Sequence, residues 1–181
     1  MPTYDARSVA NLLLDLAGKK DRQLSNLVLQ KILYFVHGQY MNVAGEPLVL
    51  GTFEAWQYGP VHPHVYAAFK KYGDNPIAGR AERVDPVTFR STPVARIQDD
   101  AVIQLVDRSL SILLERSPSD LVSMSHAKDA PWDFVVDRTK KRMSISLRIT
   151  NEIIKERFKF HKLNVADMRE KEVPNENSPF S

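Results

Sequence analysis

Residues 25–40 place the strongest constraint on the fold. Ser25 can cap a helix whose main apolar stripe is Leu29, Ile32, Leu33, Val36 and Tyr40. Leu27, Tyr34 and Phe35 fall off that stripe. A helix that is apolar on two sides is enclosed by neighbours on both, so the segment is predicted to be a central helix with the rest of the chain wrapped around it.

The flanking sequence supplies the wrapping. Val9, Leu12, Leu13 and Leu16 mark one face of a short helix, with Asp5 as cap and Gly18 as stop. Gly45 and Pro47 form a turn into an extended stretch, Leu48 to Trp56, which Tyr58-Gly59-Pro60 should end with a bend. Pro63 opens and Gly73 closes a further helix. Residues 74–98 are Pro-rich and read as loop with one hairpin or edge strand. Helices are predicted after Asp99 or Asp100, after Ser117-Pro118 and after Pro131, and a last one carries Ile149, Ile153, Ile154 and Phe158 to about Lys162. Met143 to Ile145 reads as extended. The expected fold is mainly α with a small β-sheet (α+β), a single compact helical domain with two or three short strands over residues 1–163. The polar, aperiodic stretch 164–181 should form a flexible C-terminal tail.

Composition narrows the chemistry. None of the 181 residues is cysteine, which excludes a thiol nucleophile, cysteine-ligated zinc and a disulfide framework, and fits a reducing cytoplasm. The N-terminus does not read as a signal peptide, and no apolar run is long enough to cross a membrane. Net charge is only +3, yet residues 138–162 carry nine Lys or Arg against Glu152 and Glu156. Arg138, Lys140, Lys141, Arg142 and Arg148 could neutralise phosphates, which opens a second reading as a nucleic-acid-binding transcriptional regulator. An acidic protein partner would use the same patch.

Catalytic signatures are weak. His62 and His64 straddle a helix start and point apart, so with His37 and His126 they make a poor metal set; a first-turn hydrogen bond from His62 or His64 is the plainer reading. Ser125 and His126 are adjacent on a presumed helix and cannot converge as nucleophile and base. The seven glycines form no phosphate loop. Glu54, the lone acid of the aromatic segment, is expected to be hydrogen-bonded beside Trp56. No cofactor is expected. Rings instead crowd residues 53–73, where Trp and Tyr offer apolar area with a polar handle, the chemistry of binding anchors. Trp56 and Phe69 read as packing residues. Tyr34, Tyr58 and Tyr66 are left as candidate partner-binding side chains, together with the Arg138, Lys140, Lys141 and Arg142 cluster.

Three blocks together resemble a known family. They are Leu29-Gln30-Lys31-Ile32-Leu33-Tyr34-Phe35; Phe53 to Val61, containing Glu54, Trp56, Tyr58, Gly59 and Pro60, with its continuation Pro63-x-x-Tyr66-x-x-Phe69-Lys70-x-Tyr72-Gly73; and Leu121 to His126 followed by Pro131-Trp132. In order and spacing, across residues 8–160, they resemble the Panacea-domain family, the SocA-like antitoxins of bacterial and prophage toxin-antitoxin systems. Met124-Ser125-His126 stands where Leu-Thr-His is often seen, and Ser125 keeps the hydroxyl. The resemblance implies a cytoplasmic, mostly helical domain without catalytic activity that neutralises a cognate protein toxin by binding it. One variant of that mode, implied by the same resemblance, is an adaptor that delivers the toxin to a Clp protease.

Overall fold

In the computed structural model, residues 2–141 and 146–163 are described. Arg142, the stretch Met143 to Ile145 and the tail 164–181 lie outside them. The elements are α1 (Ala6–Gly18), α2 (Asn26–Ala44), β1 (Phe53–Trp56), β2 (Gly59–Val61), α3 (Pro63–Phe69), β3 (Glu82–Val84), β4 (Ser91–Pro93), α4 (Asp100–Leu113), α5 (Pro118–Ser125), α6 (Pro131–Lys140), β5 (Arg148–Ile149) and α7 (Asn151–Arg157). Short 3-10 turns at Lys70–Tyr72 and Phe158–His161 extend α3 and α7. The fold is mainly helical with two small antiparallel sheets, one ordered β2-β1-β5 and one a β3-β4 hairpin.

The caps explain the boundaries. Asp5, Ser25, Asp99, Ser117 and Thr150 each accept a backbone N–H of the first turn that follows. Prolines 63, 118 and 131 open α3, α5 and α6, where the missing N–H has no partner to lose. Helix α2 is the axis: every residue from Leu29 to Met41 is buried, with α1, α4, α5, α7 and β2 packed around it. Gly38 makes one of those contacts possible, because a Cβ there would overlap the Phe158 ring.

Two expectations change. Gly59-Pro60 does not end the sheet: Gly59 takes φ +100°, the chain reverses over Gln57-Tyr58, and Gly59–Val61 returns along β1 with Trp56 opposite Gly59 and Glu54 opposite Val61. Pro60 is tolerated there because β2 is an edge strand. Ile149 belongs to β5, opposite Phe53, and not to the last helix, which starts only after the Thr150 cap. The hairpin expected in the 74–98 segment is β3-β4, with Val87 and Phe89 in its turn. Among the described residues no helix is long and apolar enough to cross a membrane.

Candidate functional site

Two consecutive side chains of α2 build the floor of the site. The carbonyl of Pro60 accepts a hydrogen bond from Lys31 Nζ at 2.8 Å, and the N–H of His62 donates to Gln30 Oε1 at 2.8 Å. Edge strand β2 is thereby tied to helix α2 through the backbone groups another strand would use, which blocks strand addition at this place. Gln30 also donates to Asn26 Oδ1, and Asn26 donates to the carbonyl of Tyr66, so the ladder runs on into α3. Lys31 is fully buried, and no described carboxylate pairs with it; burial lowers its pKa to about 7. Gly59 leaves the room this needs, since a Cβ there would strike Ser125 Oγ and lie 2.9 Å from Lys31 Nζ.

The wall is a chain of aromatic rings. Trp56 Nε1 donates to Glu54 Oε2 at 2.8 Å, the hydrogen bond expected of Glu54, and Trp132 Nε1 donates to the carbonyl of Trp56 at 2.8 Å. Trp132 is stacked against His126 with ring centres 3.9 Å apart, and Trp56 meets Tyr66 edge-on at 4.8 Å. Burial, and then the nearby Lys31 charge, lower the His126 pKa. Pro131 is buried at the start of α6 and aims Trp132 at β1.

Between α2, the β1-β2 turn and α3 this leaves an open, mainly apolar groove of about 630 Å³. Its lining includes Leu27, Trp56, Tyr58, Val61 and Tyr66, with Asn26, Gln30 and Gln57 as polar points and Lys70 and Asp74 towards one end. Tyr58 is 61% exposed, and Tyr66 and Leu27 are each 37% exposed. These are large apolar groups held in water by a rigid frame, which suits them to a partner.

Of the candidate partner-binding residues, Tyr58 and Tyr66 share the groove. Tyr34 does not belong with them: it is fully buried, its hydroxyl donates to His161 Nε2 at 2.8 Å, and its ring packs on Phe35, Phe53 and Phe158. The second apolar side of α2 is covered there by the Phe158–His161 turn. Phe35 is buried in the same cluster, and Tyr72 is half-buried against Phe69. Arg138, Lys140 and Lys141 lie near the far end of α6 and do not line the groove. Arg138 sits over the Phe134 ring and Lys141 pairs with Asp137 at 2.8 Å. Among the lining residues, Asn26 and Asp74 carried no signal in the sequence, Leu27 was marked only as lying off the main stripe, and Gln57 and Lys70 only as members of the family blocks.

The histidines are engaged by the fold. Nδ1 of His37 accepts from Val49 N–H while its Nε2 faces Asn151, and Nδ1 of His161 faces the carbonyl of Met124. These partners assign each ring a neutral tautomer. Burial lowers both pKa values to about 4. His62 gives no first-turn cap; its Nε2 faces the carbonyl of Leu50. His64 is exposed.

Residues 29–133 match the family described as "Antitoxin SocA-like, Panacea domain". The chain is 43% identical over 164 residues to "Antitoxin SocA" of Caulobacter vibrioides (strain NA1000 / CB15N), an alignment covering 91% of this chain and 87% of that protein. No solved structure matches.

Proposed function

Since this chain belongs to the SocA-like Panacea family, we propose that it is an antitoxin that neutralises a cognate protein toxin by direct binding, with no catalytic step, and that the toxin seats on the aromatic groove. The observation that carries the reading is the division of labour among the matched residues. Gln30, Lys31, Glu54, Gly59, Pro60, His126 and Trp132 face the protein's own backbone and rings, and the outcome is an exposed Tyr58-Tyr66 surface with Leu27, just outside the matched range, beside it. A standard interface of about 1,600 Å² with a few aromatic anchors sustains nanomolar affinity. The nucleic-acid reading of residues 138–162 has less support, because Arg138 and Arg157 lie over Phe134 and Lys141 pairs with Asp137.

The test is co-expression with the products of neighbouring reading frames. A product that is toxic alone and harmless beside this chain, with Tyr58→Ser and Tyr66→Ser weakening the rescue, is the expected result. The absence of any such product contradicts it. Toxin half-life in the rescued cells separates occlusion, which leaves the toxin level unchanged, from delivery to a Clp protease, which lowers it.

A further inference from the structure

The β3-β4 hairpin contributes no residue to the groove lining. All six of its strand residues are exposed, and at its tip Val87 is 82% and Phe89 80% exposed. Its tip is held by specific contacts. Asp85 Oδ1 accepts the N–H groups of Val87 and Thr88, Asp85 N–H donates to the carbonyl of Arg90, and Phe89 N–H returns to the carbonyl of Asp85. Phe89 itself sits at φ +54°, a left-handed conformation that a bulky side chain seldom adopts. The base is anchored as well. Asn11 exchanges two hydrogen bonds with the backbone of Ala81, Arg7 donates to the carbonyl of Glu82, and Arg80 and Arg83 pair with Asp15 and Asp5.

A finger tied by hydrogen bonds at its tip and base that holds a positive-φ phenylalanine in water offers that ring to something outside the chain. Its charge indicates what. Arg83, Arg90 and Arg96 are exposed around it, the Asp85 carboxylate is occupied by the turn, and Glu82 is the remaining acid of this stretch. Phenylalanine rimmed by arginine is protein-interface chemistry and fits an apolar pocket edged by carboxylates. The base of the finger is close to the groove along the chain. Asp74 on the groove rim and Ala81 at the finger base are seven residues apart, at most about 25 Å of chain. A standard interface takes about 800 Å² from each partner, a patch roughly 30 Å across.

Resting on the function proposed above, we infer that the hairpin is a second docking element, inserting Val87 and Phe89 into a carboxylate-rimmed apolar pocket of the same toxin that covers the groove. The test uses the toxin identified by co-expression and the full chain carrying Phe89→Asn or Val87→Ser. Asparagine tolerates the left-handed backbone better than phenylalanine does, so Phe89→Asn should melt at or above the wild-type temperature. It should nevertheless bind the toxin at least about tenfold more weakly. Arg90→Glu with Arg96→Glu, neither of which anchors the base, should slow association, most at low salt. Wild-type affinity in both Phe89→Asn and Val87→Ser overturns the inference while leaving the groove proposal standing. If the wild-type chain neutralises no toxin at all, the proposed function fails and this inference fails with it.

Discussion

Two groups of aromatic side chains lie along α2, one at its middle and one at its start, and serve opposite ends. Tyr34, Phe35, Phe53, Phe158 and His161 meet edge-to-face or tilted with centres 5.1–6.4 Å apart, and all are buried. In the other group Trp56 is held by its hydrogen bond to Glu54 and by Trp132 on its carbonyl, Tyr66 packs edge-on against Trp56, and Tyr58 and Tyr66 are open to water. The same residue types act as packing in one group and as contact surface in the other. What separates them is whether another element covers the ring: the Phe158–His161 turn closes over Tyr34, whereas no described element closes over Tyr58.

That difference can be broken from the buried side first. Phe158→Ala is expected to cost about 3–5 kcal/mol in denaturant unfolding, since it empties the cluster against Gly38 and Tyr34. Gly59→Ala should cost about 2–4 kcal/mol, because it forces a Cβ against Ser125 and Lys31 at a positive φ. On the open side, Tyr58→Ser should leave unfolding within about 0.5 kcal/mol of wild type and weaken toxin binding by about 2 kcal/mol in calorimetry. A loss of stability as large as that of Phe158→Ala would put Tyr58 in the buried group.

The buried side also has a pH signature. His37 and His161 have native pKa values near 4, below the ordinary value, so between about pH 4 and 6.5 the unfolded chain binds more protons. Stability must therefore rise with pH across that window and fall on acidification. Lys31, near 7 when folded, acts in the same direction between about pH 7 and 10.4, with a slope of up to about 1.4 kcal/mol per pH unit. Lys31→Met should flatten the alkaline part of the curve, measured by denaturant titration at several pH values. The smallest effect is expected from Arg138→Ala with Lys140→Ala, within about 0.5 kcal/mol in both stability and toxin affinity, because these residues stand away from the groove.

Much of the frame was legible in the sequence because it is local. Asp5, Ser25, Asp99 and Ser117 announce helix starts, and the two-sided apolar pattern of α2 announces its central place. The Glu54-Trp56 hydrogen bond was legible for the same reason, the partners being two residues apart on one strand. The burial of Tyr34 was not, because it depends on His161, 127 residues further along. The Lys31-Pro60 and Gln30-His62 ties were equally hidden, since nothing in a helical stripe shows that its polar members will secure the edge of a sheet. Pro60 misled for a related reason: a residue that breaks most strands is accommodated by one whose edge is tied to a helix.

The central claim, that the toxin lies on the Tyr58-Tyr66 face, is tested most directly by photo-crosslinking. A photoreactive residue is placed at position 58, 66 or 140 in turn, and the complex formed in rescued cells is irradiated. Crosslinks to the toxin from positions 58 and 66, and none from 140, are the expected result. Crosslinks from 140 with none from 58 or 66 would contradict it and move the interface to the basic end of α6.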